Sequence, residues 1–363
     1  MPASSKDLLE QLSNASGTPG NEADVRAIIR QHLDGLVGFS HDRLGSLVCR
    51  KQGSKESPLL MLAGHMDETG FIVRYLTNEG FVKFHPLGSW WEHTLLAQQV
   101  TIRTAKGDIP GIIGAKPVHH LKEVERKNML DIEAMFIDVG AGSKREAMEE
   151  FGISPGDPIV PRTALTTLRN PRFLSGKAFD NRVGVALFVD ALKTLGAQEH
   201  PNTICGVGTV QEEIGTRGAE TAAHQVNPDI AVVLEGSPAD DFPDSKAQEA
   251  QGVLGKGPQI RLFDPTMITN RKFSQFVIET ARACRLPYQV AVRTSGGTDA
   301  KPIHLHRTGV PTIVLGVPIR YAHSHVGILN LDDYEHTLQL LIELLKRLDA
   351  KTVASFTEFH HRM

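Results

Sequence analysis

Leu59-Leu60-Met61-Leu62-Ala63-Gly64-His65-Met66-Asp67-Glu68 passes from an unbroken apolar run into a histidine and two carboxylates. A short continuous apolar run reads as a strand, Leu59 to Ala63, buried on both faces. Such strands belong to parallel sheets covered by helices, and ligands bind there beyond the carboxyl ends of the strands. The polar residues stand at that end. His65 and Asp67 share a face if the chain stays extended. A neutral imidazole can then hold a metal while the carboxylate fixes its tautomer. For this segment alone, a solvated strand-end turn is the plainer alternative.

Outward from this run the chain has three textures. Upstream, helices read at Lys6 to Ser13 and, after the turn Gly17-Thr18-Pro19-Gly20, at about Glu22 to Leu33, with a strand at Leu47 to Lys51. From about Gly70 to Pro161 short strands crowd together at Phe71–Thr77, Gly80–His85, Gln99–Thr104, Ile109–Ile113 and Met135–Val139, with one helix at Ser143–Phe151. That texture suggests a small β-barrel or sandwich. After Pro161, helices at Asn181–Leu195, Gly218–Gln225, Thr269–Cys284 and Asp332–Leu348 alternate with strands. Those strands read at Thr203–Val210, Ile230–Leu234, Gln259–Phe263, Tyr288–Arg293 and Thr312–Leu315. The expectation is an α/β domain with a mostly parallel sheet sandwiched by helices, made of residues 1–69 and 162–363. Residues 70–161 are expected as a β-rich insertion.

With 363 residues the chain has room for about two domains at roughly 150 residues each. A net charge of −3 without basic runs gives no electrostatic footprint for nucleic acid. Apolar stretches such as Val183–Val189 fall far below the roughly 18 residues of a membrane-spanning helix. Met1 to Asn14 lacks the apolar centre of a secretory signal. Three cysteines, Cys49, Cys205 and Cys284, are too few for a disulfide framework. A soluble cytoplasmic protein, free of membrane and nucleic-acid partners, is the expectation.

Four further segments carry chemistry. In Ser175-Gly176-Lys177-Ala178-Phe179-Asp180-Asn181-Arg182, Asp180 or Asn181 reads most simply as a helix N-cap. A carboxylate here can also bridge two metal ions, leaving Asn181 to cap. Val210-Gln211-Glu212-Glu213-Ile214-Gly215 ends an apolar strand. Adjacent glutamates in that setting repel unless a cation intervenes or one keeps its proton. One can then ligate while its neighbour serves as base. Glu235 follows Ile230–Leu234, and Arg320-Tyr321-Ala322-His323-Ser324-His325 follows Thr312–Leu315 and a proline-containing turn. Singly, each has a structural explanation. Together they gather imidazoles and carboxylates at strand ends and one helix start, a donor set suited to zinc, cobalt or manganese.

Gly64-His65-Met66-Asp67-Glu68, Phe179-Asp180-Asn181-Arg182, Val210-Gln211-Glu212-Glu213-Ile214-Gly215 and Arg320-Tyr321-Ala322-His323-Ser324 resemble the dinuclear metallo-aminopeptidases of the glutamyl aminopeptidase and tetrahedral (TET) aminopeptidase family. Ser295-Gly296-Gly297-Thr298-Asp299-Ala300 and Gly309-Val310-Pro311 are also similar to that family, and the match runs in order through the chain. The resemblance implies a zinc-peptidase-like fold with an inserted β-barrel dimerisation domain. It implies hydrolysis of N-terminal residues from short peptides, and assembly into dimers and dodecameric shells. Asp180 would bridge two divalent ions per subunit, zinc foremost, with cobalt or manganese as alternatives. His65 and Glu235 would complete one shell, Glu213 and His323 the other. Glu212 would be the general base and Asp67 would orient His65. His325 would be a surrounding or surface residue.

Many relatives have aspartate where Glu235 stands, a difference expected to bear on metal preference or on the substrate's amino group. A related dinuclear deacetylase or carboxypeptidase is the nearest rival. Some relatives are labelled glycosidases, but so many metal-type ligands are redundant for a carboxylate-pair mechanism. A catalytically silent assembly protein is the rival of another class. Arg293, Arg320 and the loop Ser237–Gly257 are candidates to shape a pocket for an acidic residue, and the sequence does not rank them.

Overall fold

A computed structural model describes residues 4–359 except Ala197. From the amino end come α1 (Ser4–Asn14), α2 (Ala23–Leu33), β1 (Gly38–His41), β2 (Leu47–Lys51) and β3 (Leu59–His65). There follow β4 (Gly70–Leu76), β5 (Val82–Leu87), β6 (Gln99–Thr104), β7 (Gly107–Gly114), α3 (Glu123–Lys127), β8 (Phe136–Asp138) and β9 (Pro158–Pro161). Next are β10 (Thr166–Thr167), β11 (Phe173–Gly176), α4 (Phe179–Leu195), β12 (Thr203–Thr209), α5 (Arg217–Val226) and β13 (Ile230–Pro238). The chain continues through β14 (Gln259–Asp264), β15 (Met267–Ile268), α6 (Arg271–Ala283), β16 (Gln289–Val292) and α7 (Ala300–His304). It closes with β17 (Thr312–Arg320), β18 (Gly327–Asn330), α8 (Leu331–Arg347) and α9 (Ala350–Phe356).

Among the described residues, twelve strands form one sheet in the order β1-β2-β12-β3-β13-β17-β18-β11-β10, with β14 to β16 branching from β17. The parallel order is concentrated at its centre, where β12, β3, β13 and β17 are neighbours. Antiparallel strands extend both sides. The link from β17 to β18 is only residues 321–326, too short for the crossover a parallel pair needs.

Successive residues of β3 serve two cores. Leu60 and Leu62 join the cluster with α1, α2, α4, α6 and α8, while Met61 and Ala63 join the one with α5 and α7. Alternation of side chains across a pleated strand, with helices on both faces, is what makes the run apolar throughout.

Three strands run further than their apolar stretches. The ladder continues through Thr209↔His65 and Glu235↔Gly316, so His65 and Glu235 lie inside strands rather than after them. Backbone pairing does not stop where hydrophobicity does. β17 likewise passes through Pro318 instead of turning there. It leaves β14 at Gly316 and meets β18 at Ile319, so Pro318 occupies the gap where no ladder donor is required on that side.

Strands β4-β5-β8-β7-β6-β9 form a closed barrel around Phe71, Val82, Phe84, Val100, Ile102 and Ile137. β9 closes it by pairing β4 and β6. Its bounding prolines hide it from a strand search. The helix expected at Ser143–Phe151 is π-helical over Glu146–Glu150. No helix among the described residues is long and apolar enough to cross a membrane.

Candidate metal centre and catalytic crevice

The crevice opens at the carboxyl ends of the parallel strands. β3 delivers His65 as its last residue, the turn after β12 delivers Glu212 and Glu213, β13 delivers Glu235, and the turn after β17 delivers His323. Asp180 comes from the first turn of α4, which lies against the sheet because glycines line the contact. A Cβ on Gly64 would stand 2.7 Å from the carbonyl carbon of Gly184, and one on Gly184 would stand 2.3 Å from the Leu234 oxygen. No side chain fits at either position.

The two candidate functions of Asp180 and Asn181 are divided between them. Asn181 Oδ1 accepts from the amides of Gly184 at 3.0 Å and Gly236 at 3.1 Å, and its Nδ2 donates to Leu234 O at 2.8 Å. It caps the helix and ties it to β13. Asp180 is left to face the crevice.

The histidines are arranged alike. His65 Nδ1 lies 3.0 Å from the Asp67 backbone oxygen, and its Nε2 lies 3.1 Å from Asp180 Oδ1 and 3.6 Å from Glu235 Oε1. His323 Nδ1 lies 3.0 Å from the Ser89 oxygen, and its Nε2 lies 3.4 Å from Asp180 Oδ2 and 3.5 Å from Glu213 Oε2. A carbonyl can only accept, so each Nδ1 carries a hydrogen, which leaves Nε2 as the ligating nitrogen when the ring is neutral. The imidazoles thus address opposite oxygens of Asp180. Two donor groups result, His65/Asp180/Glu235 and Asp180/Glu213/His323, each with its ligand atoms within 4.8 Å of one another.

The charges conflict as the adjacent glutamates predicted. Burial pushes the Glu213 carboxyl up to about 8, against the pull of His323. Burial likewise raises Glu235 and Glu212, although His65 opposes both shifts. Burial disfavours the Asp180 carboxylate too, but hydrogen bonds from His323 and His65 outweigh it and hold Asp180 well below the usual range. Burial lowers His323, yet Asp180 and Glu213 bring it up to about 10. Protonated imidazoles stand in for cations. Glu213 Oε1 is buried with no hydrogen-bond partner, and imidazole and carboxylate donors suit a divalent ion. The residues fit a metal pair.

The backbone is strained around this centre. Ala178, Gln211, Tyr321 and His323 all have left-handed φ, from 56° to 61°, a cost that persists where surrounding structure imposes it.

Asp67 faces both the His65 ring and the glutamate turn. Its carboxylate accepts from the amides of Glu212 and Glu213, both at 3.0 Å, and stands 3.5 Å from His65 Nδ1. The carboxylate holds the glutamate turn, and the carbonyl, 3.0 Å from Nδ1, orients the ring. Glu22, buried and unremarked in the sequence, adds an oxygen 3.3 Å from the Gln211 amide. Its only sequence signal is an acid at a helix start.

A buried ion cluster was also missed. Glu68 accepts from Lys177 Nζ at 2.6 and 2.7 Å and from Arg182 Nη2 at 3.2 Å. Lys177 also donates to Ala15 O, and Arg182 to Leu12 O. The cluster ties α1 and the strand-end acids to the residues flanking Asp180. Arg293 and Arg320 are paired rather than free, with Asp240 and Asp241.

His325 is buried rather than on the surface. It is 2% exposed against Trp90, with ring centroids 5.1 Å apart, and neither ring nitrogen has a hydrogen-bond partner. Burial pushes its imidazole down to about 4. An unfolded histidine protonates near 6.5. Between those values the unfolded chain binds more protons, so stability falls as pH falls through that window. His325→Phe is expected to flatten the acid limb of Tm against pH between pH 7 and 5. An unchanged limb would assign the acid sensitivity to other groups.

The M42 glutamyl aminopeptidase profile matches residues 45–340. The chain belongs to this family. It is 38% identical over 355 residues to the putative aminopeptidase FrvX of Escherichia coli K12, covering 97% of this chain and 98% of that one. It is 33% identical to the glutamyl aminopeptidase of Lactococcus lactis subsp. cremoris, covering 97% and 99%. The lysyl aminopeptidase of Pyrococcus furiosus is 32% identical, covering 94% and 98%. Among solved structures, the TET aminopeptidase of the marine sediment archaeon Thaumarchaeota archaeon SCGC AB-539-E09 superposes with a TM-score of 0.95 at 44% identity, covering 97% and 99%. The Pyrococcus horikoshii TET1 peptidase, which can assemble into a tetrahedron or a large octahedral shell, gives 0.84 at 30% identity, covering 95% and 100%. The chain is therefore an aminopeptidase, a peptide hydrolase of a family that depends on divalent metal ions.

Proposed function

We propose that this aminopeptidase uses two divalent ions, one held by His65, Asp180 and Glu235 and the other by Asp180, Glu213 and His323, with Glu212 as general base. The observation that carries this is the position of Asp180, one carboxylate oxygen before each imidazole Nε2. When bound, such ions polarise the scissile carbonyl and make water a stronger acid. Glu212 Oε2 stands 3.8 Å from His65 Nε2, and burial raises its proton affinity. A carboxylate in that position accepts a proton from the attacking water and returns it to the leaving amine. Asp67 fixes the Glu212 backbone, and Glu235 receives the substrate's free amino group. Imidazole and carboxylate donors suit zinc, cobalt and manganese alike, and zinc is taken as the first ion to test.

Self-association through the barrel, into dimers and then a dodecameric shell, is the assembly we infer. The free thiols of Cys49, Cys205 and Cys284 suit the reducing cytoplasm.

Aminoacyl-4-nitroanilides are expected to be hydrolysed and their N-acetylated forms spared, with activity lost on chelation and restored by zinc, cobalt or manganese. Cleavage of N-acetylated substrates, or full activity in chelator, would overturn the reading. Asp180→Asn is expected to strip metal from both positions, as measured by mass spectrometry of the bound ions. An undiminished metal content would remove Asp180 from its shared role.

A further inference from the structure

We propose that the enzyme selects peptides whose first residue has an uncharged side chain, because the two arginines at the rim of its crevice are each neutralised by an aspartate. This rests on the two-metal reading above. β13 and β17 both lead to site residues, Glu235 and His323, and their carboxyl ends run side by side with Pro238 opposite Ile319. A peptide with its amino group at Glu235 and its first carbonyl before Asp180 and His323 lays its first side chain over these strand ends. Two cations stand there, Arg320 at the end of β17 and Arg293 just after β16.

Neither is available. Arg320 donates Nε and Nη2 to the two oxygens of Asp241 at 2.9 and 2.6 Å. Arg293 Nη1 reaches both oxygens of Asp240 at 2.8 Å, and its Nη2 donates to Pro238 O at 2.7 Å and Gln259 Oε1 at 3.1 Å. Paired charge-assisted bonds of this kind are strong and geometrically specific. A glutamate side chain would have to take an arginine from its aspartate, and a lysine side chain an aspartate from its arginine. Either exchange leaves an ion unpaired.

Apart from the proposed ligands Asp180 and His323, the lining next to them is uncharged. The crevice surface beside Asp180 and His323 is formed by Thr69, Phe179, Ile319 and Tyr321. Tyr321 is 61% exposed, as is Phe242 at 60% on the loop that carries both aspartates. An apolar or aromatic side chain meets this surface without stranding any charge.

The test is a panel of leucyl, phenylalanyl, glutamyl and lysyl 4-nitroanilides with the metal-loaded enzyme. The kcat/KM for leucine or phenylalanine is expected to exceed that for glutamate and lysine by at least about tenfold. Asp241→Asn keeps the side-chain volume and releases Arg320, so it is expected to raise the glutamate-to-leucine ratio by at least about tenfold. Asp240→Asn acts in the same way through Arg293, and a ratio measured within one protein is insensitive to partial misfolding. Glutamate or lysine as the best wild-type substrate, or an unchanged ratio in both variants, would overturn the proposal. Failure to hydrolyse any member of the panel would count against the two-metal mechanism. Calorimetric titration with free leucine and free glutamate would then still decide the side-chain preference, tighter leucine supporting it and tighter glutamate overturning it.

Discussion

Glu212→Gln is expected to lower turnover by at least about 100-fold while leaving bound metal nearly unchanged. Glutamine has the same shape and can still accept a hydrogen bond, but it cannot take a proton from water at neutral pH. None of the proposed ligands is altered. The Glu212 amide remains on Asp67 Oδ1 at 3.0 Å, so the turn stays in place. The neighbouring substitution separates the roles, since Glu213→Gln removes a ligand and is expected to lower metal content together with activity. Measuring kcat beside metal stoichiometry in both variants tells the two glutamates apart. Turnover near the wild-type rate in Glu212→Gln would end its assignment as the base.

The largest expected loss of stability lies at Glu68. This carboxylate is 1% exposed and is shared by Lys177 and Arg182, both buried as well. Burial already lowers Lys177 to about 8, with Glu68 opposing the shift. Glu68→Ala removes the carboxylate that Lys177 and Arg182 share, a change expected to cost about 3–5 kcal/mol. Urea unfolding monitored by fluorescence measures it, and a loss under about 1 kcal/mol would mean that solvent or a rearranged carboxylate replaces Glu68. Activity is expected to fall with it, because Lys177 and Arg182 flank Asp180 in the chain.

The residues that converge at the candidate site stood out in the sequence because they lie in short segments. A histidine or glutamate at the end of an apolar strand is conspicuous, and strand ends on one edge of a parallel sheet must converge. The strand boundaries were less legible. Gly64, Glu235 and Pro318 interrupt the apolar pattern but not the backbone ladder. β9 escaped for the same reason, since its partners β4 and β6, not its composition, make it a strand.

Pairings across the chain were hidden altogether. That the Asp67 carboxylate serves the glutamate turn, that Ser89 of the barrel segment orients His323, and that Arg293 and Arg320 are matched by Asp240 and Asp241 all depend on residues distant in sequence. Periodicity and residue type determined by themselves the α/β rhythm, the β-rich stretch within it and the kinds of group able to hold metal. Which oxygen faces which nitrogen, and which arginine is already occupied, only the tertiary structure decided. Hydrophobic period is a local property of the chain, whereas the neutralisation of a buried charge is settled by whatever the fold brings within about 3 Å of it.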